Sequence, residues 1–168
     1  MVKAILLALA IVLRSYAEGL AGVHAANPEM KLSVARDPAV SDGPVLLVEY
    51  PAATGNPAAR DVWCEAEHAD WTAGRAIAFQ AKPEHAMRIS VSFMDRNRVA
   101  YTSWSDLRGG EWQTVRISLE QIKPNPYFQP PGAKTGAPLD VSEVKAIGFA
   151  PQDPQAGRIA ISRFVIAD

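Results

Sequence analysis

From Lys31 onward the chain alternates apolar and polar residues in short runs, each closed by proline, glycine or an Asx residue. Met87–Met94 (MRISVSFM) is the cleanest run, with Ile89, Val91 and Phe93 on one face and Arg88, Ser90 and Ser92 on the other. Asp95–Arg98 supplies a turn and Val99–Trp104 returns, which predicts a hairpin. The same period predicts strands at Lys31–Arg36, Val45–Tyr50, Arg60–Glu67, Ala76–Ala81, Trp112–Leu119, Val144–Phe149 and Arg158–Ile166. Only Ser142–Ala146 and Leu119–Ile122 suggest a helical turn. About nine short strands, with no window long enough for crossover helices, predict an all-β antiparallel sandwich or jelly roll.

Two stretches break the pattern. Lys123–Pro138 holds five prolines and two glycines in sixteen residues, so it can be neither a helix nor a central strand. It is expected to be one long loop, with Tyr127 and Phe128 packing it down as a latch across the sandwich or as a lid. At the other end, Lys3 precedes an unbroken apolar run, Ala4–Leu13, which Arg14 closes. That run suits the apolar region of a signal peptide and is too short to span a bilayer. Small residues place cleavage after Ala17 or Ala25, so residues 1–25 are expected to leave and 26–168 to form a single secreted or periplasmic domain. An uncleaved anchor is the alternative.

The 168 residues carry 17 Lys and Arg against 18 Asp and Glu, a net charge of -1 without blocks of like charge, so no nucleic-acid footprint is visible. The one cysteine, Cys64, leaves an exported domain without an internal disulfide, so its apolar core must hold the fold alone. Inward alternation supplies that core from Ile77, Phe79, Ile89, Val91, Phe93, Val115, Ile117, Leu119, Ile147 and Phe149. Each large side chain contributes about 1.5–3 kcal/mol on burial. Trp71 and Trp112 stand at strand entrances and are expected to plug the ends of the sandwich.

Chemistry is sparse. No serine lies in a nucleophile-elbow motif, and neither zinc spacing, phosphate loop nor dinucleotide fingerprint is present. Cys64 and His68 are four apart, but a strand running into a loop separates them, and the thiol reads as buried and inert. Glu65 and Glu67 share one strand face about 7 Å apart, a carboxylate pair that hydrolysis of a sugar could in principle use. A binding face is better represented. Opposite the core residues stand Arg88, Ser90, Gln80 and Arg116, with Trp63 and Glu65 joining them if Val62 and Cys64 point inward. The hairpin's return arm offers Tyr101 or Trp104, on opposite phases. Aromatic rings that stack on sugar C–H faces, with polar side chains reaching hydroxyls, make this a candidate groove for an oligosaccharide or polysaccharide.

The segments Asp70–Lys82 (DWTAGRAIAFQAK), Met87–Tyr101, Gly109–Ile122 (GGEWQTVRISLEQI), Leu139–Ala150 (LDVSEVKAIGFA) and Gly157–Ile166 together resemble galactose-binding-like β-jelly-roll domains, in particular family 11 carbohydrate-binding modules. The resemblance runs from about Leu32 to Ile166 and rests mostly on core signatures. It implies non-catalytic recognition of a β-glucan-like polysaccharide on a concave sheet, without a required cofactor and without membrane insertion after the leader is removed. Relatives of this fold that resemble the mitochondrial complex I intermediate-associated protein imply the alternative, a protein-interaction or assembly domain. A glycan-processing enzyme comes third. Many such modules hold a structural calcium through an aspartate in the last strand. Here that stretch reads Ile161-Ser162-Arg163-Phe164, and Arg163 would oppose a cation.

Overall fold

The alternation turns into strand after strand in a computed structural model that describes residues 12–40, 43–55, 60–67 and 69–168. Lys3, most of the apolar run, Ser41, Asp42, Asn56, Pro57 and His68 lie outside the described residues. In chain order the strands begin with β1 (Val12–Arg14), β2 (Val23–Ala25), β3 (Lys31–Ala35), β4 (Val45–Tyr50) and β5 (Val62–Glu65). Then come β6 (Ala76–Pro83), β7 (Met87–Asp95), β8 (Ala100–Leu107) and β9 (Gln113–Ser118). A 3-10 turn at Leu119–Gln121 leads into β10 (Lys123–Pro124), β11 (Val144–Pro151), β12 (Gly157–Ile161) and β13 (Phe164–Ala167). The helical hint at Leu119 becomes that turn, whereas Val144–Ala146 is strand.

The ladders between the described strands are antiparallel. In the first sheet β6 pairs β9 on one side and both β12 and β13 on the other; β4 and then β3 continue from β12, and β1 lies along β13. β12 and β13 are one expected strand interrupted at Ser162, whose hydroxyl accepts the Gln80 N–H at 2.7 Å and so turns the chain without losing the ladder. The second sheet runs β10-β8-β7-β11-β5-β2. The β7–β8 hairpin forms in the register Phe93↔Tyr101, Val91↔Ser103 and Met87↔Leu107.

The inward residues close the space between the sheets. Ile77, Ile89, Val91, Phe93 and Ile147 are wholly buried, and Leu119 is partly so at the margin. Phe164 from one sheet meets Phe79 and Phe149 at 4.6 and 6.4 Å between ring centroids. Trp71 enters edge-on to Phe93 at 5.7 Å and is fully buried, as expected of a plug. Trp112 is placed differently. It lies on the outside of the first sheet, where its indole N–H donates to Asp37 at 3.0 Å and its ring packs with Val40, Val45, Leu47 and Ala160 under the loop after β3.

Residues 12–25, which the sequence assigns to a leader, make both β1 and β2. Tyr16 between them is 1% exposed, and its hydroxyl sits beside the Cys64 thiol; burial pushes the phenol's pKa up and the thiol's up to about 11. Arg14 is buried next to it, donating to the carbonyls of Ala21 and Glu65 and lying 3.7 Å from the Glu67 carboxylate.

The β7–β8 turn depends on one buried carboxylate. Asp95 Oδ1 accepts the N–H groups of Asn97 at 2.9 Å and Val99 at 3.3 Å, and Oδ2 accepts that of Asp140 at 3.3 Å. Asp95→Asn would turn a donor amide toward one of these N–H groups. It is expected to lower unfolding free energy by about 1–2 kcal/mol in urea denaturation; an unchanged midpoint would show that the turn does not need the carboxylate.

Candidate functional site

Because β5 enters the second sheet with Val62 and Cys64 buried, Trp63 and Glu65 point to its outer face. The ladders carry that face across the sheet. Trp63 stands opposite Gly148, which stands opposite Ser92 and then Thr102. One row along, Ala150, Ser90 and Trp104 are aligned; one row the other way, Glu65, Ala146, Met94 and Ala100 are. At the end of β7, Arg88 faces Asp106 and binds it at 2.8 Å, an interaction that holds the Asp106 carboxyl below its ordinary pKa. His24 on β2 closes the Trp63 row.

The relief of this face follows from residue size. Ala146, Ala150, Ser90 and Ser92 floor its centre, and two indoles flank them. Trp63 lies flat across β11: a Cβ added at Gly148 would fall 2.8 Å from its Cδ2 and Cε3 atoms. One face of that ring therefore rests on glycine backbone while the residue stays only half-buried. Trp104, on the far side, is 44% exposed. Three strand intervals separate the two, about 14 Å across the sheet. Polar groups line the floor: the Ser90 hydroxyl is only loosely held, 3.4 Å from the Ala150 carbonyl and 3.4 Å from the Gln152 amide.

Five of the eight residues singled out from the sequence thus share this face: Trp63, Glu65, Arg88, Ser90 and Trp104. The other three do not. Gln80 and Arg116 are on the outer face of the first sheet, where Gln80 pairs with Thr114 and Ala78 with Arg116. Tyr101 points the other way altogether. It is fully buried, with its hydroxyl 3.1 Å from the Ala137 and Pro138 carbonyls and its pKa pushed up to about 12 by burial and by Asp95. Glu67 accepts the Ser15 N–H and hydroxyl at 3.1 and 3.2 Å and lies 3.7 Å from Arg14, so it is engaged with the β1 end of the chain.

The proline-rich loop corrects another expectation. Asn125 and Gln129 fasten it to Ala100 at the end of β8, and Tyr101 holds its far end. Tyr127 and Phe128 do not pack down, however: they are 87% and 55% exposed. The Asn125 side chain accepts both of their backbone N–H groups and turns the chain outward there. An Asn-Pro pair before two aromatic residues was the available signal.

Asp61 was also overlooked, although it lies one alternation before Trp63. Burial alone lifts its carboxyl to about 6. Its folded pKa is thus above the unfolded one. The group favours the fold below pH 4 and opposes it increasingly as pH climbs through 6. Allowing for partial exposure, the loss amounts to about 1 kcal/mol by pH 7.5. Asp61→Asn is expected to remove it, giving equal stability at pH 5 and 7.5 where the parent protein weakens; equal slopes for the two would contradict this.

No family model matches the chain, and no curated protein does. Solved structures do. The chain superposes on the family 11 carbohydrate-binding module from Clostridium thermocellum in complex with a β-1,3-1,4-mixed-linked tetrasaccharide, with TM-score 0.70 and 17% identity over 95% of this chain and 97% of that one. The solution structure of CtCBM11 gives 0.72 at 18% identity, covering 95% of each chain. A family 30 carbohydrate-binding module gives 0.58 at 13% identity over 94% of this chain and 84% of that one. The fold is a β-jelly roll of the kind that family 11 modules have.

Proposed function

We propose that this protein binds a neutral, β-glucan-like polysaccharide on the outer face of the second sheet and performs no chemistry on it. The observation that carries the reading is the pair of indoles, Trp63 laid flat on Gly148 and Trp104 exposed, on either side of a floor of alanine and serine. Pyranose rings offer apolar C–H faces to such platforms and hydroxyls to groups such as Ser90 and Gln152 between them and Glu65 beside Trp63. Arg88 and Asp106 neutralise each other, and the acidic groups left on the face, Glu65 and Asp61, disfavour an anionic ligand. The shared fold with a module seen holding a mixed-linked tetrasaccharide supports a β-glucan as the first ligand to try. Exposed Tyr127 and Phe128 on the loop beside β8 would extend the aromatic surface.

Lys3 and the apolar run that follows support action outside the cytoplasm, in the periplasm or beyond it. No helix among the described residues is long and apolar enough to cross a membrane. Where the mature chain starts is read from the intact mass of the exported protein: a start after Ala17 would remove Tyr16 and Arg14, and one after Ala25 would remove β2 as well.

Affinity electrophoresis through gels containing mixed-linkage β-glucan, xylan, mannan or agarose tests the reading. Retardation in at least the β-glucan gel is expected. Free migration through all four would overturn it and turn attention to a protein partner; release of reducing sugar would revive an enzyme.

A further inference from the structure

We infer that Asp61 is a ligand residue of this face, its carboxylate accepting hydroxyl hydrogen bonds from the sugar unit seated against Trp63. The inference rests on the polysaccharide reading and names one acceptor within it.

Position comes first. Arg60 and Val62, on either side of Asp61, are both buried; the Arg60 guanidinium stacks near the Tyr50 ring at 5.6 Å and donates to the Asp153 carbonyl. Strand alternation then turns Asp61 outward with Trp63. Extending the β5–β11 register by one residue from Val62↔Phe149 sets Asp61 beside Ala150, a small side chain that is itself covered. The Ala26 N–H donates to the Asp61 carbonyl at 2.8 Å and fixes its backbone.

The second observation is what the carboxylate lacks. Asp61 is half-buried, yet among the described residues no donor and no cation is in contact with its side chain. A carboxylate partly stripped of water and given nothing in return destabilises the fold. Such a group is accounted for when a ligand brings the missing donors, because hydroxyl-to-carboxylate bonds are short and about twice as strong as neutral ones. Stability sacrificed at one spot for the sake of binding is a known trade-off.

The charged surroundings set the sign of the pH effect. On β2, His24 faces the same side; on β5 itself, Glu65 lies two alternations away. Ala150 on β11 and Gln152 just after it carry no charge, and Arg88 and Asp106 form their own pair beyond Ser90. Arg60 is committed to the interior. If the ionised carboxylate is the acceptor, binding strengthens as pH rises from 5 to 7.5. A group titrating near 6 is about one-tenth ionised at pH 5, so the change approaches tenfold.

The test uses the full chain and soluble mixed-linkage β-glucan in affinity electrophoresis at pH 5 and 7.5. The parent protein is expected to bind about five- to tenfold more weakly at pH 5. Asp61→Asn should bind as weakly at pH 7.5 as the parent does at pH 5, with no pH dependence, although it is the more stable protein at pH 7.5. His24→Gln should keep the parent slope. Parent-like binding by Asp61→Asn at both pH values, or a slope lost in His24→Gln instead, overturns the assignment. Trp63→Ala separates that failure from a failure of the polysaccharide reading. Weakened binding by Trp63→Ala beside an unaffected Asp61→Asn leaves the face standing and removes Asp61. Unaltered binding by Trp63→Ala, or no retardation of the parent protein, removes both.

Discussion

Trp63→Ala is expected to weaken binding of soluble β-glucan by about 10- to 100-fold, the range that one aromatic stacking platform supplies. The thermal midpoint should fall by no more than a few degrees, because the ring lies outside the sandwich and covers only Gly148 and its neighbours. A second substitution reaches the same ring without touching it. In Gly148→Ala the new methyl would come 2.8 Å from the indole, closer than real contacts allow, so the platform must lift away from β11. The loss should have the same direction and be smaller. If both variants are retarded in the gel as strongly as the parent, a flat Trp63 is not how this surface meets a sugar.

The largest effect on stability is expected at the other end of the chain. Tyr16→Ala should lower unfolding free energy by about 3–5 kcal/mol, since it empties the place of a large aromatic side chain that is 1% exposed. Tyr16→Phe keeps the ring and should be nearly neutral. Deleting residues 1–17 removes the same ring together with Arg14 and its bonds to Ala21 and Glu65, so that protein should melt at least as early as Tyr16→Ala. Urea denaturation of the three variants decides the matter. A truncated chain as stable as the full one would mean that Tyr16 and Arg14 only rest on the fold.

How much of this was legible beforehand depended on which interactions are local. Period-2 alternation reports burial on one side of a strand, so β3 to β9 and β11 to β13 could be read to within a few residues. β1, β2 and β10 could not: they are two or three residues long and owe their pairing to neighbours far along the chain. The same limit divided the candidate site. Alternation told which side chains leave the core, and Arg88, Ser90, Trp63 and Glu65 did so together. It cannot tell to which sheet a strand belongs, and Gln80 and Arg116 turned out on the other one because β6 and β9 pair with β12 and β13. Tyr101 and Trp104 were left on opposite phases, and the pairing Phe93↔Tyr101 selects Trp104 for the surface. Gly148 inside an otherwise apolar strand was an unused sign that something approaches the backbone closely.

The brevity of β2 and β10 has one more consequence. They form the two margins of the second sheet, and a margin of two or three residues, one of them Pro124, gives an incoming strand almost no hydrogen-bonding groups to zip onto. The outer face can therefore stay open to solvent without recruiting further copies of itself into fibrils. A chain trimmed back to Ala26 would lose that protection on one side, leaving the bare rim of β5, with its Val-Trp-Cys run, free to seed aggregation.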